Sequence, residues 1–561
     1  MTGAAIVLVV VATLIIGARG VAAIRSTSDF LVASRRISPT LNAAAVSGEY
    51  LSAASFLGVA GLVVKDGLGA LWYPVGFTAG YIAMLALVAA PMRRTGALTV
   101  PDFAEARLGS PGLRKLSAAA VLVIATLYLV PQFKAAGLVL GVVSGTPYWV
   151  GVVVAGAAVS ITLALGGMRA ATYVQAFQFG LKLLLFIVPA VWLVLSVSED
   201  TRQEALAPAE FTRFEGPTPV EFRLAVDLTI TEPTSVSVSG RVPQTLPPGT
   251  YTAEAGTTWT FAAGAAVPHL GNALPPGGEE WARPLLDPDR AGHPVLATLS
   301  VLVATVLGTM GLPHIIVRFH TSADGRGARR TAAITVALLG AFYLFPIVYG
   351  LLGAVLTPEL FLSGSTDTVV VALPSRVDTG PVGTVFTALL SAGAFAAFLA
   401  TSLGLLLALS GAVSHDLLPG TNLRRLRLTP LGIAGVVVML ALPASHLDVG
   451  VLVTSAFAVA ASTFCPLLVL GIWWSRLTPQ GAVVGMTVGL LASAGVIGVG
   501  FVVGTPPGLG TILLGQPALW SVPLAFVTMV LVSLRGRPPA WSTAAMLRLH
   551  LDETMTVRRD R

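Results

Sequence analysis

The stretch AVSGEYLSAASFLGVAG at 45–61 is small and apolar enough to lie in a membrane, yet it carries Glu49. An ionised carboxylate at the centre of a bilayer costs about 2.5–3.5 kcal/mol on insertion scales. Such a group serves an ion or proton pathway, or it is buried against a partner charge. Ser47-Gly48 precede it and weaken the helix there. A second interruption, Gly311 and Pro313, lies in TMGLPHIIVRF at 309–319. Proline removes a donor and frees the carbonyl one turn earlier. Unpaired backbone groups at membrane depth survive only when buried in protein or lining a polar cavity. Each break alone also fits a packing kink. The chemistry these residues offer is the binding of ions and small solutes by carbonyls, hydroxyls and one acid. No metal-ligand cluster or nucleophile–base spacing stands out, so an enzyme and an organic cofactor are not expected.

The elements that carry these residues are membrane helices. The chain has 561 residues, 55% of them hydrophobic and 11% charged, against about 25% charged in a soluble protein. A spanning helix needs about 20 mostly apolar residues. Thirteen such runs are predicted, at about 4–24, 40–64, 69–92, 115–143, 148–168, 171–197, 297–318, 332–356, 383–412, 429–446, 449–473, 480–504 and 518–534. The first reads as a helix rather than a secretory signal, because no charged segment precedes it. The single cysteine, Cys465, lies in an apolar run and excludes a disulfide within the chain. With the N-terminus outside, the basic loops PMRRTG, DGRGARR and NLRRLRL all fall inside. This positive-inside pattern predicts a plasma-membrane protein with its N-terminus outside and its C-terminus cytoplasmic. It also accounts for the basic excess without nucleic acid. The count assigns Glu49 and Lys134 to the membrane interior.

The polar block at 198–293 falls outside. It holds 13 acids, 6 arginines and no lysine. FRLAVDLTITEPTSVSVSGRV and GTYTAEAGTTWTFAAG alternate β-branched or aromatic residues with polar ones, as strands do. A small β-rich module and a long Pro/Gly-rich loop are both compatible with it.

The two broken helices stand in matching places. One opens a set of five helices and runs outward; the other opens the next five and runs inward. Interrupted helices at corresponding positions of oppositely oriented halves mark the binding site of an inverted-repeat transporter.

Five motifs in order make the sequence similar to the sodium/solute symporter family, and most to its cation/acetate branch. They are GEYLSAASFLG at 48–58, GGMRAATYVQAFQFGLK at 166–182, GLPHIIVRF at 311–319, SGAVSHDLL at 410–418 and WWSRLTPQGAVVGM at 473–486. The resemblance spans roughly 25–195 and 297–500. It implies an all-α polytopic membrane protein with a leucine-transporter-type inverted repeat of five plus five helices. The expected parts are a first helix and loop at 1–39, repeats at 40–197 and 297–473, the extracellular insert at 198–296, two further helices at 474–534 and a cytoplasmic tail at 535–561.

Carried over by position, the resemblance implies a sodium site between the first core helix and the eighth. Gly48, Leu51 and Ala397 would give carbonyls, and Thr401 a hydroxyl. The family often has a second hydroxyl one residue earlier; here that position is Ala400, and Ser402 follows Thr401 instead. Such hydroxyls also bond back to their own helix. Glu49 is then either half of a structural ion pair or linked to the cation or a proton. Lys134, in YLVPQFKAAG, could pair with Glu49, snorkel outward, or face an anionic substrate. Tyr50, Ser52, Gln132, Gln175 and His314 are polar groups for the cavity, as substrate contacts or as inter-helix hydrogen bonds. His415-Asp416 suits an inner gate or a cap. The expectation is a symporter that couples a short monocarboxylate, acetate first, to sodium across the lipid bilayer. A symporter for another solute such as proline, and a nutrient sensor built on the same fold, remain the alternatives.

Overall fold

The computed structural model describes residues 2–18, 24, 26–222, 225–270, 276–283, 293–418, 420, 422–447, 449–504 and 509–551. The end of the expected insert at 284–292, the end of the first expected helix at 19–23 and the last ten residues of the tail lie outside them.

The first helix, α1, is Thr2–Ala18. Helix α2, Pro39–Tyr50, starts on Ser38, whose hydroxyl accepts from Leu41 N–H, with Pro39 in the first turn where a missing N–H costs nothing. It stops at Leu51, whose ψ of 78° leaves the helical region. After a π-turn at Ala54–Gly58 the chain resumes as α3, Val59–Asp66. Then come α4, Trp72–Leu87, α5, Pro111–Ser144, and α6, Tyr148–Ser196. Gly167 breaks α6 with φ 50° and ψ −148°, a conformation that needs glycine.

Residues 218–270 form seven short strands in two antiparallel sheets. β1 is Thr218–Phe222, β2 Val226–Ile230, β3 Thr234–Val238, β4 Gln244–Leu246, β5 Gly249–Ala253, β6 Thr257–Phe261 and β7 His269–Leu270. The sheet orders are β1-β6-β3-β4 and β5-β2-β7. Alternation puts Val220, Phe222, Val236, Trp259 and Phe261 on one side. They pack with Phe214 and, from the helical part, Phe361 and Leu362.

The second half opens with α7, Pro294–Gly311, and α8, Pro313–His320. Leu312 between them is extended, with ψ 112°. It continues through α9, Gly325–Phe342, α10, Pro381–Gly411, α11, Leu423–Ala441, and α12, Val449–Trp473. Then follow α13, Pro479–Leu490, and α14, Ala518–Arg535, and a short helix at Ser542–His550. Helix α10 is buried from Leu390 to Leu407 and is rich in Ala, Gly, Ser and Thr. Such residues let backbones approach closely where lipid supplies no hydrophobic drive between helices.

Among the described residues nine helices are long and apolar enough to cross a membrane, against thirteen runs in the sequence. The helix boundaries explain the difference. The run at 40–64 is cut at Leu51 and its second part continues toward Leu87. Tyr148–Ser196 carries two runs, one on each side of Gly167. Helix α1 has 17 described residues, just under the length of a span, and the first turns of α11 carry Arg424, Arg425 and Arg427.

Candidate ion and solute site

The break in α2 leaves carbonyls without helical donors. The Ser52 N–H, which would continue the ladder to Gly48, turns back to the Tyr50 carbonyl at 2.8 Å. Side chains from other helices take over. Lys182 Nζ of α6 donates to the carbonyls of Gly48, at 2.5 Å, and Leu51, at 2.8 Å. Thr401 of α10 donates its hydroxyl to the Glu49 carbonyl at 2.5 Å. Gly48 is required here, since a Cβ on it would stand 2.2 Å from the Gln175 carbonyl oxygen. The second break is packed in the same manner: a Cβ on Gly311 would lie 2.3 Å from the Ala460 carbonyl oxygen.

Glu49 is fully buried, and its partner is Arg318 of α8, not Lys134. Arg318 Nε donates to Glu49 Oε2 at 2.6 Å, and both side chains are excluded from solvent. The guanidinium also reaches the Thr172 hydroxyl at 2.9 Å, Met168 Sδ at 3.0 Å and Gln175 Oε1. Gln175 Nε2 donates onward to the Ala400 carbonyl at 2.8 Å. One bidentate-capable side chain therefore ties both broken helices to α6 and, through Gln175, to α10. The other Glu49 oxygen, Oε1, has no protein partner. It lies over Gly404 of α10, where a Cβ would be 1.6 Å away. Lys134 instead donates to the Leu447 carbonyl, so the pair with Glu49 does not form. Its depth was ambiguous in the sequence, because a lysine stem can reach several ångströms along its helix.

Of the five expected cation ligands, the structure brings together Gly48, Leu51 and Thr401 on one break. Ala397 and Ser402 are buried on the same helix as Thr401, and the Ser402 hydroxyl has no partner. The expected solute residues form a second group beside the first. Tyr50 shares a hydrogen bond with Thr309 at 2.8 Å. Ser52 accepts from Tyr128 at 3.2 Å, and Gln132 Oε1 accepts from the Ala53 N–H at 3.0 Å. The Tyr50 ring meets Tyr81 edge-on at 4.7 Å and Phe457 at 6.4 Å. Tyr128 meets Phe457 at 5.7 Å and His314 at 5.5 Å. Both His314 ring nitrogens and the Tyr81 hydroxyl are buried without a protein partner. Gln175 belongs to the Arg318 network rather than to this group.

Sequence reasoning missed Arg318, Lys182 and Tyr81. Arg318 was placed at the inner end of a predicted span, where a basic residue is ordinary. Lys182 lies inside the run 171–197 and belonged with Glu49 among the membrane charges. Just past the C-terminus of α10, Asp416 accepts from Thr99 and from Arg114, each at 3.0 Å. Arg114 also holds Glu105 at 2.8 Å. Burial works against the charge of neighbouring Asp102, but His415, the Leu98 N–H and Arg114 outweigh it and hold that carboxyl below its usual range. Among the described residues no three His, Cys, Asp or Glu side chains gather as a metal site.

The family model for sodium:solute symporters matches residues 30–209 and 284–489. The chain belongs to the sodium:solute symporter family. It is 28% identical over 520 residues to the uncharacterized symporter YwcA of Bacillus subtilis (strain 168), covering 90% of this chain and 88% of that protein. Two solved structures share its architecture. A Na+-coupled sialic acid symporter in a substrate-bound outward-open state aligns with a TM-score of 0.64 at 13% identity, over 96% of this chain and 98% of that one. Mhp1, a nucleobase-cation-symport-1 family transporter in a closed conformation, aligns with a TM-score of 0.51 at 14% identity, over 93% and 99%. The fold is thus the leucine-transporter-type inverted repeat, in a multi-pass membrane protein.

Proposed function

We propose that this family member is a secondary active transporter that carries a short monocarboxylate, acetate first, together with a cation by alternating access. Sodium is the ion of its family's name. The observation that supports a small anion is the pair of unpartnered buried groups, His314 and Tyr81. A buried donor without an acceptor is costly. A carboxylate arriving between the two breaks supplies the acceptor, and the Tyr50, Tyr128 and Phe457 rings offer apolar walls for a short alkyl group. Glu49 and Arg318 neutralise each other at the hinge and leave these donors for the substrate. A downhill cation at the Gly48 break favours one arrangement of the broken helices, and the Asp416–Arg114–Thr99 cluster closes the inner end. The substrate is tested by a competition panel against labelled acetate uptake. Propionate and pyruvate should compete and proline should not; competition by proline alone would replace this reading with the proline one. A sensor would bind without accumulating the solute.

In the proposed orientation the strand module is extracellular. Val242, 86% exposed in it, is the place to probe. Val242→Cys in a Cys465→Ala background should react with an impermeant maleimide added to intact cells. Reaction only after lysis would reverse the orientation.

A further inference from the structure

Lys182 has no place in the mechanism above, yet its ammonium stands where the coupling cation is expected. It is fully buried. Its hydrogen bonds to Gly48 and Leu51, at 2.5 and 2.8 Å, engage both carbonyls that the broken helix would offer an ion. The last turn of α2 adds the negative end of a helix dipole. Glu49 hydrogen-bonds Arg318 instead, so the Lys182 head group is held by the backbone of the break. We propose that Lys182 is a tethered cation: sodium and the Lys182 ammonium exclude one another from the Gly48 and Leu51 carbonyls.

This inference rests on the symport reading for its purpose. A carrier that has released its ion and solute must reorient with the site vacated. Bare carbonyls at membrane depth oppose that step. A lysine that swings in satisfies them without an external ion, and it must withdraw before sodium can bind. The cost of withdrawal makes sodium binding weaker than the carbonyls alone would allow.

The test reads sodium binding directly, by the thermal unfolding of purified protein in detergent. Sodium chloride replaces choline chloride at constant total salt. A ligand that binds only the folded state raises its melting temperature with concentration. Lys182→Ala should reach the same rise as wild type at about tenfold less sodium, or lower still. Lys182→Met, which keeps the stem and removes the charge, should shift in the same direction and stands in if the alanine variant does not fold. Lys182→Arg, which keeps a cation, should respond as weakly as wild type. An equal sodium response in wild type and the neutral variants, including no response in any, would overturn the proposal. So would loss in the neutral variants of a response present in wild type. Acetate uptake is measured on the same preparations. Absence of uptake with the sodium shift intact would remove the monocarboxylate reading and leave the tethered cation standing.

Discussion

Arg318→Met is expected to destabilise the protein by about 3–5 kcal/mol, the range for removing one partner of a buried ion pair, and to abolish uptake. The change leaves Glu49, which is fully buried, without its 2.6 Å partner. It also strips donors from Thr172, Gln175 and Met168. Glu49→Gln should be milder, because an amide oxygen still accepts from the guanidinium. The double variant Glu49→Gln with Arg318→Met should melt higher than Arg318→Met alone, since removing both charges spares the penalty of an unpaired one. Uptake should stay lost, because α8 then loses its side-chain tie to Thr172 and Gln175 of α6 and only Lys182 still joins α6 to the break in α2. Thermal unfolding in detergent measures the first effect and proteoliposome uptake the second. Wild-type melting of Arg318→Met would contradict the pair as the tie between the breaks.

Gly404→Ala is expected to disrupt the same pair without altering any charge. The added Cβ would fall 1.6 Å from Glu49 Oε1 and 2.1 Å from its carboxyl carbon, so the carboxylate must leave its position against Arg318. Overpacking a filled core costs about 1–3 kcal/mol, and the displaced ion pair adds to that. In an ordinary helix interior the same change is favourable by about 1 kcal/mol. Gly432→Ala on α11 supplies that comparison, because nothing lies within 4 Å of a Cβ there. Gly404→Ala should melt lower and transport poorly while Gly432→Ala matches or exceeds wild type. Equal melting of the two variants would mean that the Glu49 carboxylate can move freely.

The outcome for the intramembrane charges shows what a sequence can and cannot supply. Glu49 and an interruption of its helix were legible, since an acid inside an apolar run and a glycine before it violate two local rules at once, but the helix runs through Ser47-Gly48 and stops at Leu51. The partner was not legible, because pairing depends on how helices 269 positions apart are brought together. Lys134 was the nearer candidate by depth alone, and Arg318 looked interfacial. Lys182 was overlooked because the run around it, 171–197, is largely apolar and shows no break; only its proximity to Gly48 gives it meaning. The alternation in 218–261 matched the strands that form there, but their sheet orders follow from long-range pairing such as Thr218 with Phe261. The nine long helices and the thirteen apolar runs differ for a related reason. Hydropathy registers apolar length, whereas Tyr148–Ser196 is divided only by the kink at Gly167 and another helix stops at Leu51 for reasons of backbone geometry.

The account stands most directly on one measurement. Purified protein in liposomes is given labelled acetate outside, an inward sodium gradient and equal pH on both faces, which keeps leakage of the undissociated acid from mimicking transport. The account predicts accumulation above the external concentration, collapse of that accumulation when the sodium gradient is removed, and inhibition by propionate and pyruvate. Uptake that merely equals the leak of protein-free liposomes, or accumulation of proline in place of acetate, would contradict it.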